Sequence, residues 1–89
     1  MWKGNIWVKS NAGWSQQDWE EIKKWSEVQN VWSTTGGGTW DWWIELKPSQ
    51  NHIDNAAKVV WNLRKYKWVA DTRTWWSKEW SKEWAKEWS

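Results

Sequence analysis

The apolar residues of this chain switch period in a set order, and that order limits the fold more than any single motif. In "GNIWVKS", Ile6 and Val8 fall on one side and Asn5, Trp7 and Lys9 on the other, the period-two pattern of a half-buried strand. After the turn at "NAG", Ser15 with Asp18 three residues on makes a capping-box pattern, and Trp14 ahead of the cap can staple onto Trp19. Trp19, Ile22, Trp25 and Val28 then recur at spacing three, predicting a helix whose outward face carries Glu20, Glu21, Lys23 and Lys24.

The segment "VWSTTGGGTWDWWIEL" reads as a hairpin, because consecutive glycines supply the positive backbone angles that a tight turn needs. Beyond it Trp40, Trp42, Ile44 and Leu46 share one face, and Asp41, Trp43 and Glu45 share the other. Pro48 closes that strand. Asn51 with Asp54 is a weaker cap for a second helix, along which Ile53, Ala56, Ala57, Val60 and Trp61 trace a stripe. "WVADTRTWW" is rich in strand formers and gives a fourth strand. Strand, helix, strand, strand, helix, strand is the order of the ferredoxin-like βαββαβ sandwich. The predicted class is α+β, with residues 1–76 as one domain and residues 77–89 as an added C-terminal helix.

Composition sharpens this reading. Among 89 residues there are 16 Trp, one Tyr and no Phe. No packing rule demands Trp while excluding Phe, since an indole adds an N–H that needs a partner when buried. The usage therefore implies an engineered or heavily redesigned, tryptophan-rich sequence, in which most indoles replace other large hydrophobes. Thirteen basic and 11 acidic residues leave a net charge of +2, too small to argue for nucleic acid or an anionic membrane. With no Cys there are no disulfides or thiolate metal sites. No apolar run is long enough for a membrane span, and no charged-then-apolar leader opens the chain, so a cytoplasmic location is expected.

Three short motifs carry a resemblance. Glu27-Val28 ends the first helix, Gly38-Thr39-Trp40-Asp41 opens the third strand, and Val69, Thr72 and Thr74 enter the last. Over residues 4–76 this pattern resembles the effector domains of the leucine-responsive and asparagine-operon regulators (Lrp/AsnC), of the stand-alone type. Gly37 and Trp68 stand where that family commonly has Thr and Gly. The resemblance implies a dimeric α/β barrel closed through the open sheet faces, further assembly, and a free amino acid bound near the Gly-x-x-Asp loop. Because the first strand begins almost at Met1, no helix-turn-helix and no DNA binding are expected. The RNA recognition motif shares the topology, but its basic-Gly-aromatic signature is missing. Asp41 and Glu45 would also set negative charge where phosphates must lie.

Candidate ligand-binding residues are Ser33, Thr34, Thr35, Gly36, Gly37, Gly38, Thr39 and Asp41: hydroxyls, backbone amides and a carboxylate able to hold the two charged ends of an amino acid. An ordinary glycine-rich hairpin with Asp41 capping its turn fits the same residues. His52 is expected to be a solvated residue in the first turn of a helix, and no second metal ligand stands at a sensible spacing. Arg64, Lys65 and Lys67 complement a helix C-terminus. No nucleophile with its base is visible, so the chain is not expected to be an enzyme and no cofactor is implied.

Together with Trp76 just before it, the tail "SKEWSKEWAKEWS" sets Trp76, Trp80, Trp84 and Trp88 four apart, drifting about 40° per step along a helix and so spanning about 120°. A strand would also put its Trp and Lys on one face, although Lys, Glu, Ala and Ser are better helix formers. A helix this short is marginal alone, so its stripe is expected to dock on the domain or on another subunit. The candidate interface residues are therefore Trp7 and Trp43 on the sheet and Trp80, Trp84 and Trp88 on the tail, with a second copy of the chain as partner.

Overall fold

The computed structural model describes residues 1–35 and 38–79. Its elements run β1 (Lys3–Ser10), α1 (Gln16–Lys23), β2 (Val28–Ser33), β3 (Trp42–Leu46), α2 (His52–Leu63) and β4 (Val69–Ser77). The four strands form one antiparallel sheet in the order β2-β3-β1-β4, and both helices lie on one face of it, α1 over β2 and α2 over β1 and β4. This is the ferredoxin-like α+β sandwich. The expected C-terminal helix, with Trp80, Trp84 and Trp88, lies outside the described residues, as do Gly36 and Gly37.

The period-two pattern builds the core. Ile6 and Val8 of β1, with Ile44 and Leu46 of β3, point at the helices and are fully buried against Ile22 of α1 and Ala56, Val59 and Leu63 of α2. Each large side chain so buried contributes roughly 1.5–3 kcal/mol. α2 approaches β1 closely because Gly4 has no side chain: a Cβ there would stand 3.1 Å from Ala56 Cβ and 3.1 Å from Leu46 Cδ1.

α1 starts where the cap pattern puts it. Ser15 Oγ accepts the Asp18 N–H at 3.2 Å, and the Asp18 carboxylate accepts the Ser15 N–H at 3.3 Å. The staple takes a different form, because Trp14 and Trp19 both pack on Trp42, edge-on at 5.2 Å and stacked at 4.1 Å. The helix is also shorter than its spacing-three pattern: Trp25 lies beyond it and Val28 opens β2. Asn51 caps α2 by position only, without a side-chain hydrogen bond.

The α2 stripe differs most. Ala56, Val59 and Leu63 face the sheet, whereas Ile53 and Trp61 are 61% and 71% exposed and Ala57 is exposed too. Trp40 is a second correction. It precedes β3, escapes the alternation, and lines a hollow with Trp7, Arg73 and Trp75 on the face opposite Trp42.

Candidate functional site

The loop between β2 and β3 is held at its base. Thr34 N–H donates to Asp41 O at 2.9 Å, Thr34 Oγ1 donates to Trp40 O at 3.3 Å, and Gly38 takes the left-handed conformation (φ +73°) that closes the turn. The Asp41 carboxylate does not cap this turn. It reaches the end of β1, where Oδ1 accepts the Ser10 N–H at 3.0 Å and Oδ2 accepts the Ser10 hydroxyl at 2.6 Å. Ser33, Thr35 and Thr39 stand exposed around it. Two bonds leave an ionised carboxylate with acceptor capacity to spare, so an ammonium group could share Asp41 with Ser10.

The open face of the sheet is the larger feature. Strand register sets Trp32 beside Trp43 and Trp43 beside Trp7 in one row across β2, β3 and β1, and Trp75 of β4 leans in from the next row. Ring centroids lie 5.9 Å apart for Trp32–Trp43, 6.2 Å for Trp7–Trp43, 6.2 Å for Trp7–Trp75 and 6.0 Å for Trp43–Trp75. These separations suit attractive offset ring contacts. Beside them Trp40, Trp7, Trp75 and Arg73 line an open hollow of about 400 Å³. Among the described residues none forms a hydrogen bond or ion pair with the Arg73 guanidinium, and the backbone of Arg73 sits opposite Trp7 in the β1–β4 ladder.

A polar belt borders the rings and satisfies itself. Asn5 is fully buried although it points to this open side: its Nδ2 donates to Ser77 Oγ at 2.8 Å and its Oδ1 accepts Trp43 Nε1–H at 3.0 Å. Glu45 accepts from Lys3 Nζ at 2.5 Å and from Asn30 Nδ2 at 3.2 Å. The Lys3 hydrogen bond holds the Glu45 carboxyl below its usual range, outweighing the opposite push of burial. A neutralised belt around apolar rings is the anatomy of an interface core and its rim.

The remaining candidates are occupied structurally. His52 is half-buried rather than solvated, with Nδ1 3.2 Å from Ser49 O and its ring edge-on to Trp76 at 5.4 Å. Lys65 pairs with Glu21 at 3.2 Å and lies over Trp25 and Tyr66, and Arg64 lies over Trp61. Burial pushes the Tyr66 hydroxyl up to about 12, and nearby Glu21 acts in the same direction. Among the described residues no group of His, Asp and Glu could hold a metal ion, and no helix is long and apolar enough to cross a membrane. The sequence pattern puts Asn5, Trp7 and Trp43 on the open face, whereas Trp32, Trp75 and Arg73 join it only in the structure. The alternation in β4 could have found Arg73 and Trp75, since both face away from Thr72 and Thr74.

Comparison with known proteins adds the fold's relatives. No protein-family model matches the sequence, and no curated protein does. Solved structures match well. FFRP-DM1 is 18% identical with a TM-score of 0.68, over 88% of this chain and 100% of that one. The protein TTHA0845 from Thermus thermophilus is 18% identical with a TM-score of 0.71, over 91% and 98% of the two chains. A transcriptional regulator from Neisseria meningitidis, solved as an L-Met complex, is 17% identical with a TM-score of 0.64; this chain covers 50% of its length and is itself covered over 88%. The shared fold is thus one that occurs both as a small protein and as about half of a regulator.

Proposed function

We propose that the chain is a non-catalytic, self-associating module of the Lrp/AsnC effector-domain type. Two copies pair through the open faces of their sheets to close an α/β barrel, and the 33–41 loop at the rim receives a free amino acid. The observation that carries the reading is the patch of Trp7, Trp32, Trp43 and Trp75, bordered by Asn5, Glu45 and Lys3, which are paired within the chain, with Arg73 at one edge. Large indoles on an otherwise polar face are the kind of surface that association covers. The hollow beside Trp40 gives a ring from the partner a seat.

The L-Met complex of the Neisseria regulator supports an apolar amino acid as the effector, its ammonium shared by Asp41. We also read the tryptophans as replacements in a parent sequence. The buried Nε1 atoms of Trp19 and Trp75 have no hydrogen-bond partner, as befits sites that need a ring but not an N–H. One observation favours a second reading, a purely structural designed protein without a ligand: Ser10 already engages both oxygens of Asp41.

Calorimetric titration with the twenty amino acids at millimolar concentration separates the two. Heat with apolar amino acids, lost in the Asp41→Ala variant, is expected; no heat with any of them leaves the structural reading. Light scattering at micromolar concentration tests the assembly itself, and a salt-dependent gel shift with single-stranded RNA would move the sheet face to a third reading.

A further inference from the structure

The hollow on the open sheet face has walls that are set before anything enters it. Trp7 and Trp75 are diagonal neighbours on β1 and β4, with ring centroids 6.2 Å apart and planes inclined by 27°, and Trp43 contacts both rings at 6.2 and 6.0 Å. Trp40 lies outside β3, yet its backbone is pinned from both sides. Its carbonyl accepts the Thr34 hydroxyl at 3.3 Å, and the next residue, Asp41, donates its N–H to Val8 O at 3.2 Å and holds Ser10 through both carboxylate oxygens. Rings braced in this way have little freedom left to lose when a ligand arrives.

The remaining wall is charged. Arg73 is exposed opposite Trp7, and among the described residues its guanidinium has no hydrogen bond, no ion pair and no ring beneath it, whereas Arg64 and Lys65 both lie over rings. The carboxylates at this end of the face are engaged elsewhere: Asp41 holds Ser10, and Asp71, paired in register with Lys9, accepts the Thr72 N–H at 2.8 Å. Arg73 thus brings a planar fork of unused donors to a hollow otherwise walled by indoles.

We propose that this hollow is a binding site for a small planar aromatic carboxylate, its ring seated among Trp7, Trp40 and Trp75 and its carboxylate held by the Arg73 guanidinium. Indole faces favour a flat ring, and a guanidinium matches a carboxylate with two parallel hydrogen bonds. The volume of about 400 Å³ falls within the range of small-molecule pockets. Indole walls alone would also attract an ammonium ion, but Arg73 repels it. A phosphate dianion would meet Asp41 and Asp71 on the same face with one guanidinium to offset them. A ring from a second copy would fill the space and leave the guanidinium unanswered.

The test titrates naphthoate, and separately the uncharged naphthamide, into the isotope-labelled full chain and into its Trp32→Lys variant while the indole N–H signals are followed. Trp32 is 46% exposed and does not line the hollow, so this change disrupts the tryptophan face and leaves the site. Naphthoate should shift the signals of Trp7, Trp40 and Trp75 saturably and leave Trp14 and Trp61, on the helix side, in place. Naphthamide should bind at least about tenfold more weakly, and Arg73→Gln should bring naphthoate down to the same level. Trp40→Ala should weaken both probes. Absence of shifts in both chains, or equal affinity for the two probes, overturns the proposal; so does tighter binding of uridine monophosphate than of naphthoate. One further outcome rests on the pairing reading: ligand and partner compete for one seat, so excess naphthoate should return a paired parent toward 10.9 kDa. A monomeric parent with the indole shifts refutes pairing and upholds the site, whereas a paired parent whose Trp32→Lys variant shows no shifts refutes the site and keeps pairing.

Discussion

Trp43 and Asn5 are joined by a hydrogen bond of 3.0 Å from the indole Nε1–H to Asn5 Oδ1, on adjacent strands and on the open side of the sheet. The bond explains how a polar side chain is fully buried on a face that no helix covers. Asn5 also donates to Ser77, so it ties β3, β1 and β4 together in one chain of contacts. Replacing Asn5 by Ala strands both partners. The Asn5→Ala variant should lose about 1–3 kcal/mol, read from its urea midpoint.

The indole N–H groups of the packed tryptophans divide by the same criterion. Trp43 and Trp68 have acceptors for their N–H groups, the latter in Asp18 at 2.9 Å, whereas Trp19 and Trp75 bury theirs without one. Trp43→Phe should therefore cost about 1–3 kcal/mol. In Trp19→Phe and Trp75→Phe the lost ring area is offset by removal of an unpaired donor, and stability should stay within about 1 kcal/mol of the parent. A Trp75→Phe loss as large as that of Trp43→Phe would show the N–H of Trp75 to be satisfied.

The Lys3–Glu45 pair gives a pH dependence with a definite sign. Glu45 is lowered from its ordinary 4.5 in the folded protein, so it adds stability above that value and loses it as pH falls through the lowered one. Denaturant unfolding at pH 6 and at pH 3 should show a smaller drop for Glu45→Gln than for the parent. Equal drops in the two proteins would remove Glu45 from the account.

Gly4 sets the spacing between α2 and the sheet. In Gly4→Ala the new methyl would lie 3.1 Å from Ala56 Cβ and Leu46 Cδ1 and 3.2 Å from Trp76, so the layers must part. The expected loss is about 1–3 kcal/mol, seen as a lower melting temperature. The paired variant Gly4→Ala with Ala56→Gly should recover part of it.

Short-range patterns were the legible part of this fold. Ser15 and Asp18 cap each other across three residues, and Ile6, Val8, Ile44 and Leu46 follow their strand period into the core. The failures came where a distant contact decides between equal local choices. α2 carries two apolar stripes about 100° apart, and which one faces inward depends on Gly4, some fifty residues away, admitting Ala56. Val28 continues a helical spacing but belongs to β2, since no Gly or Pro marks the end of α1. Asp41 looks like a turn cap in sequence, yet its partner Ser10 is 31 residues back and only the sheet brings them together. Trp40 fits the alternation on paper but lies outside the strand that would enforce it.

The central claim is that the tryptophan face pairs with its copy. Sedimentation equilibrium across a micromolar dilution series tests it most directly, on the parent and on Trp7→Lys, which places a charge in the middle of the patch. The account predicts twice the 10.9 kDa chain mass for the parent, and a variant near 10.9 kDa with an unchanged circular-dichroism spectrum. A parent that sediments at 10.9 kDa throughout, or a variant that keeps the doubled mass, would contradict it.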